Sequence, residues 1–462
     1  MTQSDPFAFL NTERELANKR QAEERCQDFS DIYSKSAQQK LSEQAERCLD
    51  CGNPYCQWKC PLHNHIPNWL NLVADGKLQQ AAQTMLNTNP LPEICGRVCP
   101  QDRLCEQACT LNTGFGAVTI GSIEKQISDL AIENDWYVST TAPATGWSVA
   151  VVGSGPAGIG CAEYLARQGV KVTVYEKNPE IGGLLTFGIP GFKLEKSVLT
   201  KRRKFLESLG IEFITNTEIG KDIEFETIRS SNNAVFLGLG AYQGVDGGLI
   251  NADNENNPNI IPALEYLIGV TDENHNFKMK DAVFHDLKDK QVLVFGGGDT
   301  AMDCVRTAVR QSAKSVDCVY RRTELEMPGS KREVQSAKEE GVNFQFHLQP
   351  TAIVKDGDRL KVEASHRESD ETVNLSADVA IIAFGFKPNP PGWLVDIETE
   401  SDGRVMTQST SAATELSQAT SIENVYVGGD MSRGADLVVT AIADGRDAAQ
   451  QILMDLFSSK NA

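Results

Sequence analysis

The stretch "WSVAVVGSGPAGIGCAEYLARQGVKVTVYEK" narrows the folds open to this chain more than any other. It reads as an apolar run, a glycine turn, an amphipathic segment and a second apolar run that ends on an acid. A continuous apolar strand belongs in a parallel sheet covered on both faces, and its parallel neighbour needs a crossover helix. Gly153, Gly155 and Gly158 fill G-x-G-x-x-G, with Ser154, Pro156 and Ala157 between them in the same turn. The first glycine permits the tight turn, the second lets a pyrophosphate approach the backbone, and the third lets helix pack on strand. Glu176 closes the second strand, where a carboxylate accepts hydrogen bonds from an adenosine ribose. A glycine triplet alone is a weak signal. The full run of strand, turn, helix, strand and terminal acid points to a dinucleotide.

A second unit begins at "KQVLVFGGGDTAMDCVRTAVRQSAKSVDCVYRR". Gly296 and Gly298 hold the first two positions, Asp299 and Thr300 follow, and Ala301 takes the third. No acid ends its second strand. Arg321 and Arg322 stand there instead, and two guanidinium groups bind a 2′-phosphate that an acid would repel. The first unit therefore suits FAD or NAD and the second NADP(H). A solvated strand end is the plainer reading of the two arginines, and their position argues against it. The runs "NAVFLGLGA" at 233–241 and "ADVAIIAFGFKPN" at 377–389 read as strands returning to the first sheet. Near the C-terminus, "NVYVGGDMSRGADLVVTAIADGRDAAQQIL" reads as a strand, Gly429-Asp430 and a helix from about Leu437. A carboxylate there, backed by a helix N-terminus, can hold flavin ribityl hydroxyls and pyrophosphate. The polar stretch "NADNENNPN" reads as a surface loop.

Of twelve cysteines, eight fall in two bursts, "CLDCGNPYCQWKC" and "CGRVCPQDRLCEQAC". Disulfide frameworks belong to small secreted chains. This chain has 462 residues, and its start, "MTQSDPFAFLNTERELANKR", lacks the basic and apolar regions of a signal peptide. No apolar run is long enough to span a bilayer, and a net charge of −19 opposes nucleic acid and anionic lipid. We expect a cytoplasmic protein with no nucleic-acid or membrane partner, and about three domains at roughly 150 residues each.

Clustered thiols in a reducing compartment point to metal. The first burst is C-x2-C-x4-C-x3-C (Cys48, Cys51, Cys56, Cys60) and the second C-x3-C-x5-C-x3-C (Cys95, Cys99, Cys105, Cys109). Structural zinc usually takes two separated C-x2-C knuckles, and only one such pair is present. A tight run of three Cys, with a Cys-Pro serving another cluster, is the pattern of two-cluster ferredoxins, and both Cys60 and Cys99 precede Pro. Spacing favours iron–sulfur over zinc and over unligated thiols. Cys26, Cys161, Cys304 and Cys318 stand alone and read as inert buried thiols.

Together with "RCLDCGNPYCQWKCP", "PEICGRVCPQDRLCEQAC", "GAVTIGSIE", "EIGGLLTFGIPGFKLEK", "MPGSKREV", "AFGF" and "GGDMSRGADLVVTAIADGR", these motifs span residues 45–456. That span resembles the small (β) subunits of bacterial NADPH-dependent glutamate synthases, in a wider family that includes the N-terminal half of dihydropyrimidine dehydrogenase. About forty residues at the start match no motif.

The resemblance implies an α/β fold: a helical N-terminal domain, 1–145, with two [4Fe-4S] clusters, then a glutathione-reductase-like pair of Rossmann-like domains. The FAD domain would be 146–280 and 385–462, with the NADPH domain, 281–384, inserted in it. Gly182, Gly183 and Leu184 would join the FAD site. Cys48, Cys51, Cys56 and Cys109 would hold one cluster; Cys60, Cys99 and Cys105 with Glu124 of "IGSIE" would hold the other. Cys95 would then be free, and Cys95 in place of Glu124 is the alternative. No side chain is assigned as catalytic acid, base or nucleophile, because the cofactors carry the chemistry. NADPH would reduce the flavin, and electrons would pass through the clusters to a large (α) subunit. That partner would carry FMN and a glutaminase and make L-glutamate from L-glutamine and 2-oxoglutarate. Two rivals are a free-standing NADPH:ferredoxin (or other acceptor) oxidoreductase and a non-enzymatic flavoprotein whose thiols bind structural zinc.

Overall fold

The computed structural model describes residues 5, 7–34, 38–369, 371–408 and 417–460. Its first third is helical because the apolar residues recur at helical spacing. In Ile66–Ala74 the buried positions include Ile66, Trp69, Leu70 and Val73, and in Leu78–Leu86 they include Leu78, Ala81, Ala82 and Met85. Pro67 and Pro92 stand in the first turns of their helices, where a missing N–H costs nothing. The helix Ile120–Glu133 buries Ile120, Ile123, Ile127 and Ala131, and Glu124 lies on the same buried face.

Ser148–Val152 opens a five-stranded sheet in the order Val425–Val427, Ala234–Leu237, Ser148–Val152, Lys171–Tyr175, Glu212–Ile214. All its pairings are parallel, and Val152 stands opposite Tyr175. The helices Pro156–Arg167 and Val438–Lys460 pack together over it, with Ile159, Leu165, Ile442 and Ile452 in one buried cluster with Val149, Val151 and Phe236. A second five-stranded parallel sheet runs Ile260–Pro262, Val379–Ile382, Gln291–Phe295, Ser315–Val319, Asn343–Gln345. The helices Ala263–His275 and Asp299–Arg310 cover one face, and the antiparallel strands Leu348–Asp356, Arg359–His366 and Thr372–Ala377 pack on the other.

Two readings of the sequence need correction. The run at 377–389 supplies its strand Val379–Ile382 to the second sheet, between Ile260–Pro262 and Gln291–Phe295, rather than to the first. The antiparallel strands lie on the second sheet, so the chain leaving Thr372–Ala377 is already beside it. Ile260–Pro262 likewise pairs there, which puts the second sheet's first strand at 260, ahead of the division expected at 281. The loop 251–259 is largely exposed as expected, although Asn254 turns inward to donate to the carbonyls of Leu249 (2.8 Å) and Ile353 (3.0 Å). Among the described residues no helix is long and apolar enough to cross a membrane.

A buried ion pair ties the helical domain to the first sheet. Arg202, on the helix Lys196–Ser208, donates from Nε to Glu93 Oε1 at 2.7 Å and from a second nitrogen to Oε2, with both side chains 0% exposed. The rings of Tyr137 and Phe205 lie 5.1 and 4.9 Å from its guanidinium carbon.

Candidate functional site

The carboxyl ends of the two sheets face one cleft of about 1160 Å³, the place where open α/β sheets receive ligands. One wall carries Gly153, Ser154, Gly155, Pro156, Ala157 and Glu176, joined by Gly183, Leu184, Gly429 and Asp430. The other carries Gly296, Gly298, Asp299 and Thr300 with Arg321 and Arg322. Three expected residues stay behind the walls. A Cβ on Gly158 would come 2.0 Å from Gly153 O, so this glycine serves close packing beneath the turn. The Gly182 N–H donates to Ser154 O at 3.0 Å and to its Oγ at 3.1 Å, and Ala301 is fully buried.

Gly153 has φ +96°, and a Cβ there would meet Gly238 O at 2.5 Å, so both backbone and packing demand glycine. Gly155 caps the helix Pro156–Arg167 and faces open space, as Gly298 does for Asp299–Arg310. Each helix N-terminus thus points unpaired N–H groups into the cleft, the arrangement that binds phosphate oxygens. Glu176 is buried and accepts from Ser154 Oγ (2.6 Å), Ser154 N–H (3.1 Å) and Asn178 N–H (2.9 Å). A carboxylate offers roughly four acceptor sites, so capacity is left for a ribose hydroxyl. The exposed Arg321 and Arg322 follow the strand Ser315–Val319.

Asp430 accepts from Asp436 N–H at 3.2 Å, and burial pushes its carboxyl up to about 7. An under-bonded acid in a cleft fits a partner bearing hydroxyl donors. A carboxyl raised on folding destabilises the fold as pH climbs from the unfolded pKa to the folded one. In flavin-depleted protein, Asp430→Asn should therefore gain on the parent between about pH 4 and 7. We expect about 1–2 kcal/mol after allowance for water in the open cleft, read from unfolding midpoints at several pH values.

Lys193 was not singled out from the sequence. It lines the cleft and donates to Asp303 Oδ1 at 2.8 Å, joining the two sheet units. Its signal was a lysine inside the apolar "GIPGFKL" and an acid four residues after Asp299 on the same helix.

The thiols form two groups. Cys48, Cys51, Cys56 and Cys109 line one small cavity with Leu70, Val118 and Ile120. Glu124 lies close enough to Cys60, Cys99 and Cys105 to act on each electrostatically, as Cys95 does on Cys60 and Cys99, and Cys56 on Cys105. Glu124 is buried, accepts from Asn64 (3.2 Å) and Asn89 (3.0 Å), and is pushed up to about 8 by burial. The Cys95 thiol faces Asn89 Oδ1 at 3.7 Å, so both candidate eighth ligands share Asn89. Burial pushes Cys48 and Cys56 up to about 12 and Cys60 to about 11. Such thiols become thiolates only against strong local positive charge, which fits a metal core between them. Among the described residues no three His, Cys, Asp or Glu converge on a single-ion site.

The second group touches the first sheet unit. Cys60 and Cys99 pack on the core of the first sheet, and Val98 lines the cleft itself. Cys48, Cys56, Cys60 and Cys109 pack on the core of the helical domain, of which Cys105 is part, with Tyr55 and Trp58 exposed nearby in sequence.

Residues 25–136 match the family described as dihydropyrimidine dehydrogenase domain II, 4Fe-4S cluster, and residues 147–445 match pyridine nucleotide-disulphide oxidoreductase. The glutamate synthase [NADPH] small chains of Halomonas elongata and Escherichia coli are each 47% identical over 97% of this chain and 98% of their own. The putative oxidoreductase AegA of Escherichia coli is 44% identical over 93% of this chain and 68% of its own. Among solved structures, Mycobacterium tuberculosis FprA in complex with NADPH aligns over 69% of this chain and 86% of its own, with TM-score 0.55 and 17% identity. Lactococcus lactis thioredoxin reductase aligns over 68% and 99%, with TM-score 0.52 and 22% identity. These two likenesses show the fold of the sheet units. The near full-length identity to curated relatives shows more: the chain belongs to the glutamate synthase [NADPH] small chain family, within the pyridine nucleotide-disulphide oxidoreductases.

Proposed function

We propose that this protein is the electron-input subunit of a glutamate synthase. When bound, FAD takes a hydride from NADPH, and two [4Fe-4S] clusters relay the electrons singly to a large subunit carrying FMN and a glutaminase. That subunit makes L-glutamate from L-glutamine and 2-oxoglutarate. The observation that carries this reading is the shared cleft: both glycine turns open on it, and Val98, next to Cys99, forms part of its wall.

The turn Gly153 to Gly158 receives the FAD pyrophosphate, Glu176 its adenosine ribose, and Gly429-Asp430 its ribityl chain and pyrophosphate. Gly182, Gly183 and Leu184 shape the wall beside it. The turn Gly296 to Ala301, with Asp299 and Thr300, receives the NADPH pyrophosphate, and Arg321 and Arg322 its 2′-phosphate. Cys48, Cys51, Cys56 and Cys109 hold one cluster; Cys60, Cys99, Cys105 and Glu124 hold the other. The first group reaches the surface near Trp58 and is the exit towards the partner.

Purified protein should release FAD on denaturation and contain about eight iron atoms with matching acid-labile sulfide. FMN as the sole flavin, or zinc in place of iron, would refute the reading. A second reading, a free-standing NADPH:acceptor oxidoreductase, draws on the likeness to AegA. It requires NADPH oxidation with ferredoxin as acceptor. The first requires co-purification with a large subunit and glutamine-dependent oxidation of NADPH.

A further inference from the structure

Residues 17–34 carry no motif, yet they touch every unit of the molecule. The chain before them is held by the helical domain: the Glu15 N–H donates to Gln44 (3.1 Å), Arg47 donates to Thr12 O (3.0 Å), and Arg14 pairs with Glu106 (2.6 Å). It then crosses the helix Lys331–Glu339 of the second sheet unit, where Lys19 pairs with Glu339 at 3.1 Å and donates to Ser336 Oγ at 2.9 Å. Arg25, 2% exposed, pairs with Glu339 (2.7 Å) and Glu340 (2.9 Å). Phe29 next meets the first sheet unit: a Cβ on Gly191 would come 2.8 Å from Phe29 O, and the rings of Phe29 and Phe192 are 6.3 Å apart. Asp31 returns to the helical domain through Lys125 at 3.1 Å.

The contacts of Arg25 lead to the cleft. Glu340 also accepts from Arg306 (2.9 and 3.0 Å) and Arg310 (2.7 and 3.2 Å), both on the helix whose N-terminus is Gly298. Those two guanidinium groups lie over the Phe192 ring, 4.5 and 3.9 Å from its centroid. One buried carboxylate thus joins the strap, the nucleotide helix and, through Phe192, the first sheet unit. Units within a chain move relative to one another unless a substantial interface holds them.

We propose that residues 17–34 form a clamp that holds the NADPH-binding unit in one orientation against the flavin unit, with Arg25 as its positioning residue. The proposal rests on the reading of the cleft given above. Arg25 does not line the cleft, so its loss should disturb the approach of the two rings and leave the nucleotide contacts in place. Misplacement by about 1 Å costs on the order of 100-fold in rate.

The test uses the full chain with its cofactors, mixed anaerobically with NADPH, and follows flavin bleaching. Arg25→Ala should lower the limiting reduction rate about 10- to 100-fold, with the NADPH dissociation constant moving less than about twofold. Arg25→Lys should restore part of the rate, because a point charge can still reach one carboxylate. Amide hydrogen exchange, which needs no turnover, should quicken about tenfold or more in the helix Lys331–Glu339 and at Gly191 and Phe192, and stay unchanged in Ser148–Val152. Glu339→Gln leaves Glu340 with Arg306 and Arg310, so it tests the clamp without risk to the fold; a two- to fivefold slowing is expected, roughly that of a partly exposed ion pair. An unchanged limiting rate in Glu339→Gln and in any folded Arg25→Ala would overturn the clamp, as would an effect confined to NADPH affinity. If NADPH fails to bleach the parent's flavin, the underlying function fails instead.

Discussion

Cys99→Ala protein should contain about half the iron of the parent and lose electron delivery to the partner, while NADPH still bleaches its flavin. Cys99 lies near Cys60 and Glu124 and next to Val98 on the cleft wall, so the cluster proposed there is the first station after the flavin in the proposed path. Removing that station breaks the path without touching the nucleotide sites. The same assay decides the eighth ligand. Glu124→Ala should alter the low-temperature paramagnetic signal of one reduced cluster, and Cys95→Ser should keep both signals and all the iron. The reverse pattern would make Cys95 the ligand and leave Glu124 as a buried acid held by Asn64 and Asn89.

Replacing Arg321 and Arg322 together with Ala should cut the preference for NADPH over NADH by more than about 100-fold. Hydrogen bonds to charged groups contribute roughly 1.5–3 kcal/mol each, and every 1.4 kcal/mol is a factor of ten. Both arginines line the cleft and are exposed, free of buried packing, so the double variant should fold normally. The loss should appear in the Michaelis constant for NADPH, with NADH use nearly unchanged. Equal losses with both coenzymes would show that the arginines do not read the 2′-phosphate.

The two nucleotide units were legible because their chemistry is local. The requirements at Gly153, Gly155 and Gly158 come from one turn and the helix that follows it, and the structure puts the first two on the cleft and the third beneath it. The proposed grouping of the thiols comes from resemblance and not from spacing. Spacing alone does not say that Cys109 joins Cys48, Cys51 and Cys56 around one cavity while Cys60, only four residues after Cys56, lies outside its lining and packs on both the helical-domain core and the first-sheet core. The helix Tyr55–Lys59 ends at Cys60, whose extended backbone (ψ 123°) carries the chain on to Leu62 in the first-sheet core.

The sequence by itself determined the parallel-sheet class, the two glycine turns, the opposed acid and arginine strand ends, and the two thiol bursts. Each of these is written in residues that act on near neighbours through backbone sterics, periodicity or charge. Only the tertiary structure decided which sheet receives Val379–Ile382, since an apolar run ending in glycine pairs equally well in either and its neighbours are distant in sequence. It also decided the surroundings of Glu124, an ordinary helical residue until the fold buries it with Asn64 and Asn89. The strap was invisible for the same reason: Arg25 has its meaning only beside Glu340, more than three hundred residues away. A burial or an ion pair between remote segments depends on how the whole chain closes, and no local pattern encodes it.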